Sequence, residues 1–178
     1  TVVVRPGEDI QSAIDSLPEA GGCVCLKVGD HEIDAPIRIE RSNVSLHGET
    51  LGARVVCNKG LEVLRIASSR ESVFLEDVKV SGVSFIVTSK ETGEKNMPSG
   101  IVTIRRVLNV VFDGCMLRSQ RWNQAAGIVI NECNNVSVTH CLIHTVQYGV
   151  VTIVGMTNLT IVGNKFDAGI GRKSDDGV

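Results

Sequence analysis

Short bursts of alternating apolar and polar residues run along this chain, and five of them share one pattern. A small polar residue is followed by an apolar one, any residue, an apolar one, any residue and Gly, with a further apolar residue three positions on. The copies begin at Asn43-Val44-Ser45-Leu46-His47-Gly48, Asp77-Val78-Lys79-Val80-Ser81-Gly82, Asn109-Val110-Val111-Phe112-Asp113-Gly114, Asn135-Val136-Ser137-Val138-Thr139-His140 and Asn158-Leu159-Thr160-Ile161-Val162-Gly163. His140 stands where the other copies have Gly. The starts lie 34, 32, 26 and 23 residues apart. Repeats of this length build solenoids, in which each repeat buries its apolar face by stacking on its neighbours. Alternation within each copy is the period of a half-buried strand, not of a helix.

Two further strands accompany each copy. One precedes it at Ile101–Ile104, Ile128–Ile130 and Val150–Ile153, rich in the β-branched residues that favour strands, and each follows a Gly in an x-x-Gly-[Ile/Val] frame. A short one ends each turn at Met116-Leu117, Leu142-Ile143 and Lys165-Phe166. Three short strands per turn predict a triangular coil of parallel strands. The expected interior ladders are Val80, Phe112, Val138, Ile161 and Phe85, Leu117, Ile143, Phe166. Val83, Cys115, Cys141 and Asn164 should align at a turn, and Val107, Cys133 and Met156 at another position. Residues 1–22 differ. Thr1–Val4 reads as a strand, Asp9 as an N-cap, and Ile10, Ala13, Ile14 and Leu17 share one helical face that Pro18 and Gly21-Gly22 end. Such a helix would cap the first coil, and residues 23–178 would form the coils of a single domain.

Several segments of the first 49 residues resemble the pectin-lyase-like superfamily. They are Asp9–Asp15, Gly21-Gly22-Cys23-Val24-Cys25-Leu26, Gly29–Ile33, Ile37-Arg38-Ile39 and Val44–Glu49. The coil repeats extend the likeness to the end of the chain. The resemblance implies an all-β, right-handed, single-stranded parallel β-helix, the fold of polysaccharide lyases, polygalacturonases, epimerases and phage tailspikes. It implies a fold more than an activity, because unrelated chemistries share this coil. Asp175-Asp176-Gly177-Val178 fits the x-x-Gly-[Ile/Val] frame again, and Thr1 is not an initiator Met. The expectation is a segment of a longer chain whose further coils follow.

Composition narrows the partners. A net charge of -2, scattered basic residues and 3% aromatics give no footprint for nucleic acid. No run of 18 apolar residues predicts a membrane span. The repeat explains most of the six cysteines as small apolar fillers. A Cys115–Cys141 bridge between neighbouring coils is the alternative, and no Cys/His cluster has zinc spacing. No metal and no cofactor are expected. Sequons at Asn43, Asn135 and Asn158 arise from the repeat itself.

In the resembled enzymes the cleft lies on the outward face of the strand that follows each Gly. Here that face reads as Thr103, Val129 and Thr152, with Ile104, Ile130 and Ile153 inward, and carries no Asp, Lys or Arg for sugar chemistry. Two groupings remain for catalysis. Arg118, His144 and Asp167 fall at equivalent positions of consecutive coils, where a His between a guanidinium and a carboxylate suits acid–base work. Polar residues leaving the core at each turn are the plainer account. Asp175 and Asp176 resemble the Asp pair of polygalacturonases, although the Gly-His-Gly and Arg-x-Lys elements are absent. The loops at 89–96 and 119–124 emerge on adjacent coils, and Arg121, Trp122 and Asn123 suit a sugar-stacking platform; packing of Trp122 over the sheet is the alternative. The expected function is a carbohydrate-active β-helix that binds, and cleaves or modifies, a polysaccharide. A non-catalytic carbohydrate-binding, tailspike-like or protein-interaction scaffold is the alternative, with a homo-oligomer or further coils as partners.

Overall fold

The computed structural model describes residues 1–70, 72–89, 99–120, 125–144 and 148–167. After β1 (Val2–Val4) and α1 (Ile10–Asp15), the chain winds through about six coils. They are β2 (Gly22–Leu26), β3 (Gly29–Ile33), β4 (Ile37–Ile39); β5 (Val44–Gly48), β6 (Ala53–Cys57), β7 (Leu64–Ala67); β8 (Leu75–Ser81), β9 (Ser84–Val87), β10 (Ser99–Arg105); β11 (Val107–Asp113), β12 (Met116–Ser119), β13 (Ala125–Asn131); β14 (Asn134–Thr139), β15 (Leu142–His144), β16 (Tyr148–Thr152); and β17 (Thr157–Val162), β18 (Lys165–Asp167). The first strand of every coil joins β1 in sheet A. The second strands form sheet B and the third strands sheet C. Every strand pair is parallel. No helix among the described residues is long and apolar enough to cross a membrane.

Both expected ladders are present and longer than the repeat alone indicated. Val24, Leu46, Val80, Phe112, Val138 and Ile161 stack through sheet A. His31, Val55, Phe85, Leu117, Ile143 and Phe166 stack through sheet B. Phe85 and Phe112 are fully buried, and each such side chain contributes about 1.5–3 kcal/mol. His31 is the exception in an apolar column. Its Nε2 donates to the Lys27 carbonyl at 2.9 Å, and its buried Nδ1 has no partner.

The polar residue that opens each repeat has a backbone reason. Asn43, Asp77, Asn109, Asn135 and Asn158 all take φ between 52° and 60°, the left-handed region that Asn and Asp tolerate best. Stacked in register, their side chains form a ladder on the outside of sheet A. Asn158 donates to Asn135 and Asn135 to Asn109, each at 2.9 Å, and Asn109 donates to Asp77 at 3.1 Å. At the turn where Cys115, Cys141 and Asn164 align, Asn164 accepts from the Cys141 N–H and donates to the Val138 carbonyl, each at 2.7 Å. The Gly that closes the second, third and fifth repeats is also left-handed, at Gly82, Gly114 and Gly163. His140 adopts φ 53° in the same slot, and its Nδ1 lies 3.0 Å from Asp113 Oδ1.

Sheet C corrects the sequence reading by one residue in two places. Gly100 pairs with Ala126, not Gly127, and Val102 rather than Ile101 pairs with Ile128. Thr152, expected outward, pairs with Ile130 in the inward column of Ile39, Ile66 and Ile104, while Val151 continues the outward column of Thr103 and Val129. The frame misled because Gly127 and Gly149 answer to a packing limit that Gly100 does not share. A Cβ on Gly127 would lie 2.6 Å from Ile143 Cγ2, and one on Gly149 2.4 Å from the Phe166 ring. These two glycines let sheet C approach the sheet B ladder closely.

The helix lies against the first coil, in contact with β1 and β4. Asp9 accepts from the Gln11 and Ser12 N–H groups, and Ile10, Ala13 and Ile14 are buried. The Gln11 carboxamide takes both backbone groups of Arg38 on the edge strand β4. Its Oε1 accepts from Arg38 N at 2.8 Å and its Nε2 donates to Arg38 O at 3.1 Å. One side chain thus supplies what the peptide group of a neighbouring strand would, and the edge is satisfied.

Replacement of Asn109 by Ala removes two ladder bonds and leaves a left-handed backbone without its tolerant side chain. Urea unfolding should show a loss of about 2 kcal/mol, of which Asn109→Gly recovers roughly half. Gly127→Ala should cost about 2–3 kcal/mol through its clash with Ile143. Gly114→Ala, with open space around its Cβ and φ 58°, should cost only about 1 kcal/mol. Equal losses at the two glycines would contradict the packing account.

Candidate functional site

The first three strands of sheet C make its outward face charged, whereas Val129, next in the same column on β13, is buried. Along β4, β7 and β10, Arg38, Arg65 and Thr103 stack in register. One step further, Ala67 pairs with Arg105. Arg106 follows at the corner into sheet A, in the left-handed conformation with φ 54°. These strands enclose a groove of about 460 Å³ lined by Glu40, Arg65, Ser68, Thr103, Arg105 and Arg106. The expected Thr and aliphatic face holds on β10, β13 and β16, as Thr103, Val129 and Val151. Arg38 and Arg65 lie on β4 and β7, which no Gly directly precedes and which therefore fell outside the frame. Parallel pairing alone sets Arg65 beside Thr103.

The guanidinium groups are held by carboxylates at the rim. Glu62 accepts two bonds from Arg65, from Nε at 3.1 Å and from Nη2 at 2.5 Å, and holds its charge more firmly than an isolated Arg. Glu132 accepts from Arg106 at 2.5 Å and lies 3.8 Å from Arg105. The hydrogen bond from Arg106 keeps the Glu132 carboxyl below the usual carboxylate range. Arg105 and Arg65 remain about half exposed, at 46% and 49% of their side chains. The groove therefore presents pre-oriented N–H donors with hydroxyl groups beside them. This donor set suits oxygen acceptors such as carboxylates.

Of the residues chosen from sequence, three are brought into register. Arg118 pairs with His144, and His144 with Asp167, on the outward side of sheet B. His144 Nδ1 lies 3.1 Å from Asp167 Oδ2, and the two side chains are 29% and 46% exposed. A carboxylate on Nδ1 orients the ring and directs Nε2 to whatever approaches. This pair sits on the last two coils of sheet B, and the groove on the first three of sheet C, so they are separate places. Arg121, Trp122 and Asn123 lie outside the described residues, as do Asp175 and Asp176. Among the described residues, exposed aromatic side chains occur at Phe74, Tyr148 and Phe166. Phe74 stands nearest the groove, since the N–H of the next residue, Leu75, donates to the Arg106 carbonyl at 3.0 Å. No alternation or repeat marks Phe74, which left it invisible in the sequence. No group of three His, Cys, Asp or Glu among the described residues is placed to hold a metal ion.

No family model matches the chain, and no curated protein matches it. Solved structures do resemble it. The ORF18 protein of Geobacillus virus E2 matches with a TM-score of 0.55 and 16% identity over 96% of this chain, which spans 43% of the viral protein. A "putative glycosyl hydrolase" from Parabacteroides merdae matches with a TM-score of 0.55 and 16% identity over 88% of each chain. At that identity the likeness is one of fold, and the fold is a parallel β-solenoid.

Proposed function

We propose that this chain is a carbohydrate-active member of the pectin-lyase-like superfamily that binds a polysaccharide along the outward face of sheet C. In this reading the coil is right-handed and α1 caps its first turn. The observation that carries it is the groove itself. Arg65 on one coil and Arg105 and Arg106 on the next offer fixed guanidinium donors, with Ser68 and Thr103 lining the same groove. The protein from Parabacteroides merdae named above, with the same solenoid, favours a carbohydrate partner over a purely structural role.

His144 and Asp167 support a second, catalytic reading in which the oriented imidazole acts as general base or acid on a sugar bound along sheet B, apart from the groove. Their 3.1 Å contact is its basis. Binding at the groove without turnover would favour the non-catalytic, tailspike-like alternative.

Calorimetric titration with a panel of polyuronates and neutral polysaccharides tests binding. One glycan should bind saturably, and the double variant Arg65→Ala/Arg105→Ala should weaken it by at least about tenfold while the thermal transition stays in place. Silence across the panel, or equal affinity in the variant, would remove the groove from the account. If reducing-end or unsaturated-product assays detect cleavage, His144→Gln should lower kcat by about two orders of magnitude with KM little changed.

A further inference from the structure

The outward face of sheet A carries chemistry that glycan binding does not use. On β2, Val24 and Leu26 point into the core, so Cys23 and Cys25 point out, both half-buried. On β5, Val44 and Leu46 point in, so Ser45 and His47 point out. Cys23 pairs with Ser45 and Cys25 with His47. His47 nevertheless leans back along the sheet, and its Nδ1 lies 3.1 Å from Cys23 Sγ. The two residues are 24 positions apart in the chain, and only the coil brings them together.

We propose that Cys23 is an activated nucleophile, with His47 as its proton acceptor, and that it is a site of covalent modification by small disulfides. With the imidazole proton on Nε2, the Cys23 thiol donates to Nδ1, and transfer of that proton gives a thiolate beside an imidazolium. The thiolate, not the thiol, is the nucleophile, and an adjacent cation favours it. In the reaction the thiolate attacks one sulfur of a disulfide R–S–S–R. The new Cys23–S bond forms as the old S–S bond breaks. The departing R–S⁻ carries away the electron pair and takes the proton from His47. The products are Cys23–S–S–R and R–SH, with no other oxidant needed.

The other cysteines are built differently. Cys57, Cys115, Cys133 and Cys141 are buried inside the coil. Cys115 donates a hydrogen bond to Cys141, which together with burial pushes the Cys115 thiol up and draws Cys141 down, and burial raises Cys133. Cys141, though lowered, is closed off inside the coil. Cys25 shares the outward face, but the imidazole bonds Cys23. Charged groups nearby are Lys27, paired with Glu49 at 2.8 Å, and Lys79, which follows Ser45 in register.

The test is reaction of the native protein with 5,5′-dithiobis(2-nitrobenzoate) at neutral pH, followed by absorbance and by peptide mass mapping. One thiol per chain should react in a fast phase, about tenfold ahead of the next, and the label should map to Cys23. Cys23→Ser should abolish that phase and Cys25→Ser should keep it. His47→Gln should slow it by about tenfold with an unchanged circular dichroism spectrum. A fast phase that survives Cys23→Ser, or one indifferent to His47→Gln in a folded protein, would overturn the proposal.

Discussion

In-register stacking of parallel strands is the interaction on which everything else in this protein rests. Each coil repeats the inward and outward sense of the one before, because a strand shifted by one residue would turn its core face to water. The columns that begin at Val24, His31 and Ile39 hold that register through three sheets. The corners keep it. Left-handed residues recur at the same places in successive coils, as Asn109, Asn135 and Asn158 in one column and Arg106, Glu132 and Gly155 in another. A bend that costs backbone energy in one coil is offset by side-chain bonds to the next, and the asparagine ladder is the clearest instance.

That same stacking builds surfaces from residues distant in the chain. Arg65 and Thr103 are 38 positions apart, yet adjacent strands set them side by side. Cys23 and His47 meet by the same rule, as do His144 and Asp167. Because three sheets face three directions, one domain carries a cationic groove, an imidazole–carboxylate pair and a thiol–imidazole pair that do not interfere with one another. The groove's charges are held by their own carboxylates, which keeps the donors oriented without a ligand and limits the reorganisation that binding would require.

The two ends of the described coil differ in how they meet water. At the first coil, the Gln11 carboxamide satisfies Arg38, and the buried face of α1 joins the core. At the last described coil, Ile161 and Phe166 continue interior ladders and are 42% and 50% exposed.

Much of the fold was legible in the chain before any coordinates. Alternation gave the strands, the recurring Asn and Gly gave the coil, and the columns through Phe112 and Leu117 could be written from spacing. These features are local or periodic, and a repeat makes every local choice visible several times. The charged part of sheet C's outward face was not legible, because no Gly directly precedes β4 and β7, and the register slipped where Gly100 follows a different packing limit from Gly127. Arg118, His144 and Asp167 were found by register, but their contact distance was not. Phe74 and the Cys23–His47 pair left no periodic trace at all. The sequence by itself determined the period and the inward columns, since these follow from burial and backbone conformation along one strand. Which side chains touch across strands was decided only by the tertiary structure, because lateral pairing joins residues whose separation varies from coil to coil.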